Sequence, residues 1–213
     1  MLTPSSARAP RRERGQVRVA TIMEAGAALF REKGFDAVTM SDIAARSGTA
    51  FGSLYRFFPS KESLADALLQ QYAQQALDQL RGLAEQAPDM GGSGVADALV
   101  EFMLGLQAER SFAIAVIEAR GGGGDKQAQF RKALRDGVAA ILRRAWPDLT
   151  AANAKALAVM ALHVLKGVAA TADEPPAARR LLLGHYRGLL GAYFSSMHGA
   201  TVPAPRRNAG SRS

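Results

Sequence analysis

No stretch of this chain alternates apolar and polar residues for long enough to make a β-strand, while apolar residues recur at three- and four-residue steps along most of its length. That property confines the fold to the all-α class. From Gln16 to Lys33 the residues Val19, Ile22, Met23, Gly26, Leu29 and Phe30 fall on one stripe, and Gly34 stands where a helix C-cap belongs, with Phe35 behind it. Thr39-Met40-Ser41-Asp42 has the form of a capping box, in which the Thr hydroxyl accepts from the Asp amide and the carboxylate reaches back to the Thr amide. It predicts a short helix over 40–46, with Ile43 and Ala44 turned inward, broken at Ser47-Gly48. A third helix is expected over 50–57 with Thr49 as its N-cap; Pro59 ends it and Ser60 caps the next. Further helices are expected over 60–86, 94–107, 109–120, 125–145, 150–172 and 176–197. The breaks between them are Pro88–Gly94, Gly121–Gly124, Trp146–Asp148 and Asp173–Pro176.

Three short helices in about 45 residues, the second and third joined by a tight turn at Gly48, make the helix-turn-helix pattern of a homeodomain-like module. Two helices form a platform, and the third is narrow enough to enter the major groove of DNA and offer its N-terminal residues to base edges. Leu54 and Phe58 are spaced to dock that helix on the platform. Thr49, Ala50, Phe51, Ser53 and Tyr55 then remain for the outer side.

Charge alone is equivocal about such a partner. Residues 1–64 hold ten Lys/Arg against six Asp/Glu, residues 65–198 hold fourteen against thirteen, and residues 199–213 hold three Arg and no acid. The excess sits at the two ends, around a nearly neutral middle; a polyanion-binding end and a solvated basic end both fit that distribution. The expected organisation is a flexible basic arm over 1–15, a DNA-binding domain over 16–64, a larger helical domain over 65–198 and a disordered basic tail over 199–213. Arg8, Arg11, Arg12 and Arg14 of the arm can lie in a minor groove or serve only solubility.

The ordered set from Ile22 to Lys61 resembles the DNA-binding domain of TetR-type regulators. It runs through Ile22, Glu24-Ala25, Leu29-Phe30, Gly34-Phe35, Thr39, Ile43-Ala44 and Gly48. It finishes with Gly52-Ser53-Leu54-Tyr55-Arg56 and Phe58-Pro59-Ser60-Lys61-Glu62. The resemblance covers about a quarter of the chain; the rest matches the family only in length and helical character. It implies that Thr39 bonds a phosphate through hydroxyl and amide, that Tyr55 reaches phosphate or base, and that Lys61 grips the backbone. Thr49, Ala50, Phe51, Gly52 and Ser53 would form the base-reading end, with Ser41 and Arg56 beside it. Phosphate contacts set register and salt dependence, while base contacts set sequence preference. Plain capping by Thr39 and Ser60, packing by Tyr55 and a solvated Lys61 are the alternative readings. Ala50 and Phe51 replace the family's usual Ser and Lys, and Phe57 replaces its usual His, so a more apolar readout is expected.

The last two helices are the most apolar. Leu157, Met160 and Val164 mark a stripe on one, and Leu182, Tyr186, Leu189 and Tyr193 a stripe on the other. Burial within one subunit accounts for such stripes; the resemblance implies instead a homodimer through a four-helix bundle, two helices from each subunit. Two reading helices on two half-sites of a palindromic operator also follow from helix-turn-helix geometry. Met103, Phe112, Ile117, Glu118, Trp146 and His163 are candidates to line a pocket for a small apolar or aromatic effector, against an ordinary core role. With no cysteine, three histidines and no phosphate loop or hydrolase motif, the chain is not expected to be an enzyme, and no cofactor or metal is expected. No run of about 18 uncharged apolar residues is present, so no membrane partner is expected. The N-terminal residues lack the apolar core of a secretory signal. The expectation is a cytoplasmic, nucleoid-associated transcription regulator, a repressor released by its effector. An architectural DNA-binding dimer without effector is the alternative, and an interaction protein that only retains the module is a third.

Overall fold

The computed structural model describes residues 11–119 and 124–197; for parts of 11–13 and 107–119 it describes the helix and not the side chains. The arm below residue 11, the Gly run at 121–123 and the tail expected over 199–213 lie outside the described residues. Among those described, the helices are α1 (Arg11–Lys33), α2 (Met40–Ser47), α3 (Phe51–Phe57), α4 (Lys61–Gln86), α5 (Gly91–Ala119), α6 (Gly124–Ala145), α7 (Ala151–Ala170) and α8 (Pro176–Ser196). Short 3₁₀ turns stand at Ala87–Asp89 and Thr171–Asp173.

Several boundaries differ from expectation, among them the start of α5 at Gly91, inside the break expected over 88–94. Helix α1 starts at Arg11, five residues inside the segment expected to be a flexible arm. Arg and Glu favour helix, and the single Gly15 is too weak a breaker to stop it. Helix α5 is continuous where two helices were expected, because Gln107 to Arg110 contain no Gly or Pro. Helix α3 starts at Phe51, with Ala50 rather than Thr49 in the capping position and no side-chain cap.

The chain divides into two compact units, Met1–Gln75 with Ala108–Gln127 and Ala76–Gln107 with Ala128–Ser213, so α4 and α5 contribute to both. Ala113 and Val116 of α5 are buried in the same cluster as Ile22, Phe30, Ile43, Leu54 and Leu64, which binds this part of α5 to the first unit.

The second unit is built from α6, α7, α8 and the parts of α4 and α5 that belong to it. Leu80, Leu99, Ile141, Leu142, Leu165, Leu190 and Phe194 are fully buried there. Trp146 is buried and its ring lies 5.6 Å from that of Phe194. The Thr150 hydroxyl caps α7 by accepting from the Asn153 amide at 3.3 Å. Arg187 of α8 pairs with Asp97 and Glu101 of α5. Helix α7 with its 3₁₀ extension is long and apolar enough to cross a membrane by length and composition. It carries exposed Lys155 and Lys166, and it buries Leu157, Ala158, Ala161, Leu165 and Val168, as a core helix does.

Candidate nucleic-acid interface

The site begins with the entry to α2. Thr39 is its N-cap, and both halves of the expected capping box are formed: the Asp42 amide donates to Thr39 Oγ1 at 3.1 Å, and the Thr39 amide donates to Asp42 Oδ2 at 2.9 Å. The Thr39 hydroxyl also donates to that carboxylate at 2.6 Å. These bonds, with Lys33 at 3.6 Å from the carboxylate, hold Asp42 below the usual carboxylate pKa range; the hydroxyl bond is the largest cause. A second tie joins α1 to α2. Arg46 grips Glu32 with both guanidinium nitrogens, one at 2.8 Å, and this hydrogen bond lowers the Glu32 pKa.

Between α2 and α3 the backbone must reverse in three residues. Gly48 does so at φ 59°, ψ 26°, the left-handed region in which a side chain is penalised, and donates its amide to Ala45 O at 3.3 Å. The next residue turns inward. Thr49 is 7% exposed, its amide donates to Ala44 O at 3.1 Å and its hydroxyl to Ser47 O at 3.4 Å. Thr49 therefore closes the turn and does not belong to the outer reading surface, contrary to expectation.

Leu54 is fully buried and Phe58 nearly so; they dock α3 on the platform as their spacing predicted. The outer face of α3 carries Phe51, Gly52, Tyr55 and Arg56, all exposed, with Ala50 exposed before them and Ser53 half-buried. The Phe51 and Tyr55 rings are 4.7 Å apart, tilted by 56°. The Arg56 guanidinium lies over the Phe57 ring at 5.1 Å. A Cβ placed on Gly52 would meet nothing within 4 Å, so the chain's own packing does not require glycine there.

Helix α4 opens with Ser60 and Ser63 capping each other: Ser63 N donates to Ser60 Oγ at 3.2 Å and Ser60 N to Ser63 Oγ at 3.1 Å. Lys61 follows. Its ammonium donates to the carbonyls of Phe35 at 2.9 Å and Asp36 at 3.2 Å and lies 4.5 Å from the centre of the Phe35 ring. It is half-buried and tied to the α1–α2 connection, not a free surface charge. Ser41 is exposed two residues after Thr39, in the first turn of α2. The ties of Lys61 and of Glu32 with Arg46 were missed from sequence; their partners lie 26 and 14 residues away, where no local pattern reaches. The Phe51–Tyr55 ring contact was missed too, although its four-residue spacing on a helix was a usable signal.

The other candidates divide. Phe112, Ile117 and Glu118 lie among the side chains outside the described residues. Met103 is buried, Trp146 is buried against Phe194, and His163 is exposed. Of the candidate dimer residues, Leu157 faces the core of its own unit, and Tyr186 is half-buried with its hydroxyl against Gly167. Met160 and Val164 are half-buried, while Leu182, Leu189 and Tyr193 are exposed.

A platform of two helices, a glycine reversal and a short third helix with an open outer face define a helix-turn-helix protein. Residues 22–68 match the family model described as "Bacterial regulatory proteins, tetR family". Over 57 residues the chain is 47% identical to the HTH-type transcriptional repressor KstR2 of Mycobacterium tuberculosis, covering 26% of this chain and 28% of KstR2. The matches to the curated relatives span between 28% and 40% of the relatives' own length. The architecture is shared further. A TetR-family regulator from Mesorhizobium loti superposes with a TM-score of 0.66 at 19% identity, covering 86% of this chain and 98% of that one. The SmeT–triclosan complex does so with a TM-score of 0.59 at 20% identity, covering 82% and 91%. Residues 22–68 are thus similar to the DNA-binding module of the TetR family, and the fold of most of the chain is that of TetR-family structures.

Proposed function

We propose that this chain is a sequence-specific DNA-binding transcriptional regulator that occupies a palindromic operator as a homodimer and acts as a repressor. The observation that carries this reading is the outer face of α3, open to solvent on a module matched to the family over residues 22–68. In this reading Thr39 and Ser41 meet phosphates at the start of α2. Ala50, Phe51, Gly52 and Ser53 meet base edges, and Tyr55 and Arg56 reach base or backbone. Lys61 adds a phosphate contact through its third N–H while keeping its carbonyl ties. The name of KstR2, a transcriptional repressor, supports repression. In this reading the protein acts in the cytoplasm, at the nucleoid.

The exposed leucines and tyrosine of α8 support a dimer through α7 and α8, with Leu182, Leu189 and Tyr193 in the contact. A small-molecule effector completes the proposal. SmeT, which shares the fold, was solved with triclosan, and a ligand that binds the DNA-free state more tightly would release the operator.

Selection of bound duplexes from a random pool by the purified protein tests the reading. The expected result is an inverted repeat of two half-sites. Recovery of no common sequence would exclude operator recognition and favour an architectural role.

A further inference from the structure

The outer face of α3 carries two large aromatic rings without cover. Phe51 is 50% exposed and Tyr55 40%. Among the described residues of the first unit, Val17 is the one other exposed large hydrophobic residue, so this is not a surface strewn with apolar groups. The two rings stand four residues apart on one helix and pack against each other at 4.7 Å, tilted by 56°. They form one aromatic wedge. From Ala50 to Tyr55 there is no charged residue, and beside the wedge Gly52 leaves the backbone open to close approach.

What such a wedge can recognise in a major groove is narrow. Base edges there present hydrogen-bond donors and acceptors, and one apolar group, the thymine C5-methyl. A phenyl ring offers nothing to the donors and acceptors but can bury the methyl. Resting on the DNA-binding reading above, we infer that Phe51, packed against Tyr55, reads at least one thymine methyl group in each half-site. Sequence preference at that position then comes from an apolar contact and not from a hydrogen-bonded edge.

The test uses the full chain and its selected operator, with each thymine replaced in turn by deoxyuridine, which removes the methyl group and keeps pairing and every hydrogen-bonding atom. At one thymine position per half-site the wild type should lose about fourfold in affinity, the worth of one buried methyl, and about 15-fold when both half-sites are replaced. Phe51→Ala, exposed and compatible with helix, should bind thymine and uracil duplexes equally. Insensitivity of the wild type to every replacement would overturn the inference, and so would a Phe51→Ala variant that keeps the full thymine preference. Those results leave operator binding intact. If no operator sequence emerges at all, the DNA-binding reading fails and takes this inference with it.

Discussion

Asp42 shows how one side chain can serve fold and site together. Its carboxylate accepts from the Thr39 hydroxyl and amide, and these bonds depress its folded pKa relative to the unfolded chain. Its contribution to stability is therefore present above the unfolded value, about 3.9, and is lost as pH falls through the lower folded value. Denaturation measured between neutral pH and that acid range should show a steeper loss for wild type than for Asp42→Asn; parallel curves would contradict the assigned cap. Two glycines nearby act in opposite senses. Gly48 is needed by the backbone, whereas Gly52 lies in helix with open space at its Cβ position. Gly52→Ala should stabilise the module by about 0.5–1 kcal/mol. The added methyl would intrude on a groove contact and should weaken operator binding about tenfold. Opposite signs in melting temperature and affinity are the expected readout; unchanged affinity would show that nothing approaches this helix closely.

At the scale of elements, the module is a platform held by ties between α1, α2 and α4 on which α3 rests through Leu54. Leu54→Ala should cost about 2–5 kcal/mol in denaturant unfolding, because the residue is fully buried. Lys61→Ala removes two carbonyl ties and should cost about 1 kcal/mol of stability, the side chain being half-exposed. If Lys61 also meets a phosphate, the variant's slope of log affinity against log salt should be shallower by about one for each phosphate that Lys61 neutralises. An unchanged slope with lowered stability would make Lys61 a structural tie alone. Which parts of this were legible in sequence follows from range. The capping box at Thr39 and the reversal at Gly48 are written in adjacent residues, so they were read correctly. Thr49 was not, because residue type does not say to which side of a turn a hydroxyl points, and here it folds back on Ser47. The start of α1 and the continuity of α5 were misjudged where Gly or punctuation was weak and helix propagation decided the outcome.

The whole molecule adds a second unit whose helices are apolar on more than one face. Sequence showed that α7 and α8 had more apolar surface than one core contact uses, but not which face stays open. Leu157 and Leu189 are the same residue type at helical positions, yet one is 7% and the other 60% exposed. The open face of α8 gives the dimer proposal its own test. Leu189→Asp should raise the dimer dissociation constant about 100-fold or more, since a carboxylate would be buried without a partner. Sedimentation should then show monomer at concentrations where the wild type is a dimer. Operator affinity should fall with it, because a single reading helix contacts too few bases. The central claim is that the open face of α3 reads a defined DNA sequence. It is tested most directly by comparing affinity for the selected operator with affinity for random duplex across a salt series. Specific binding should exceed non-specific binding about 10³-fold or more, with the ratio surviving as both affinities fall with salt. Equal affinity for every duplex, falling together with salt, would contradict it.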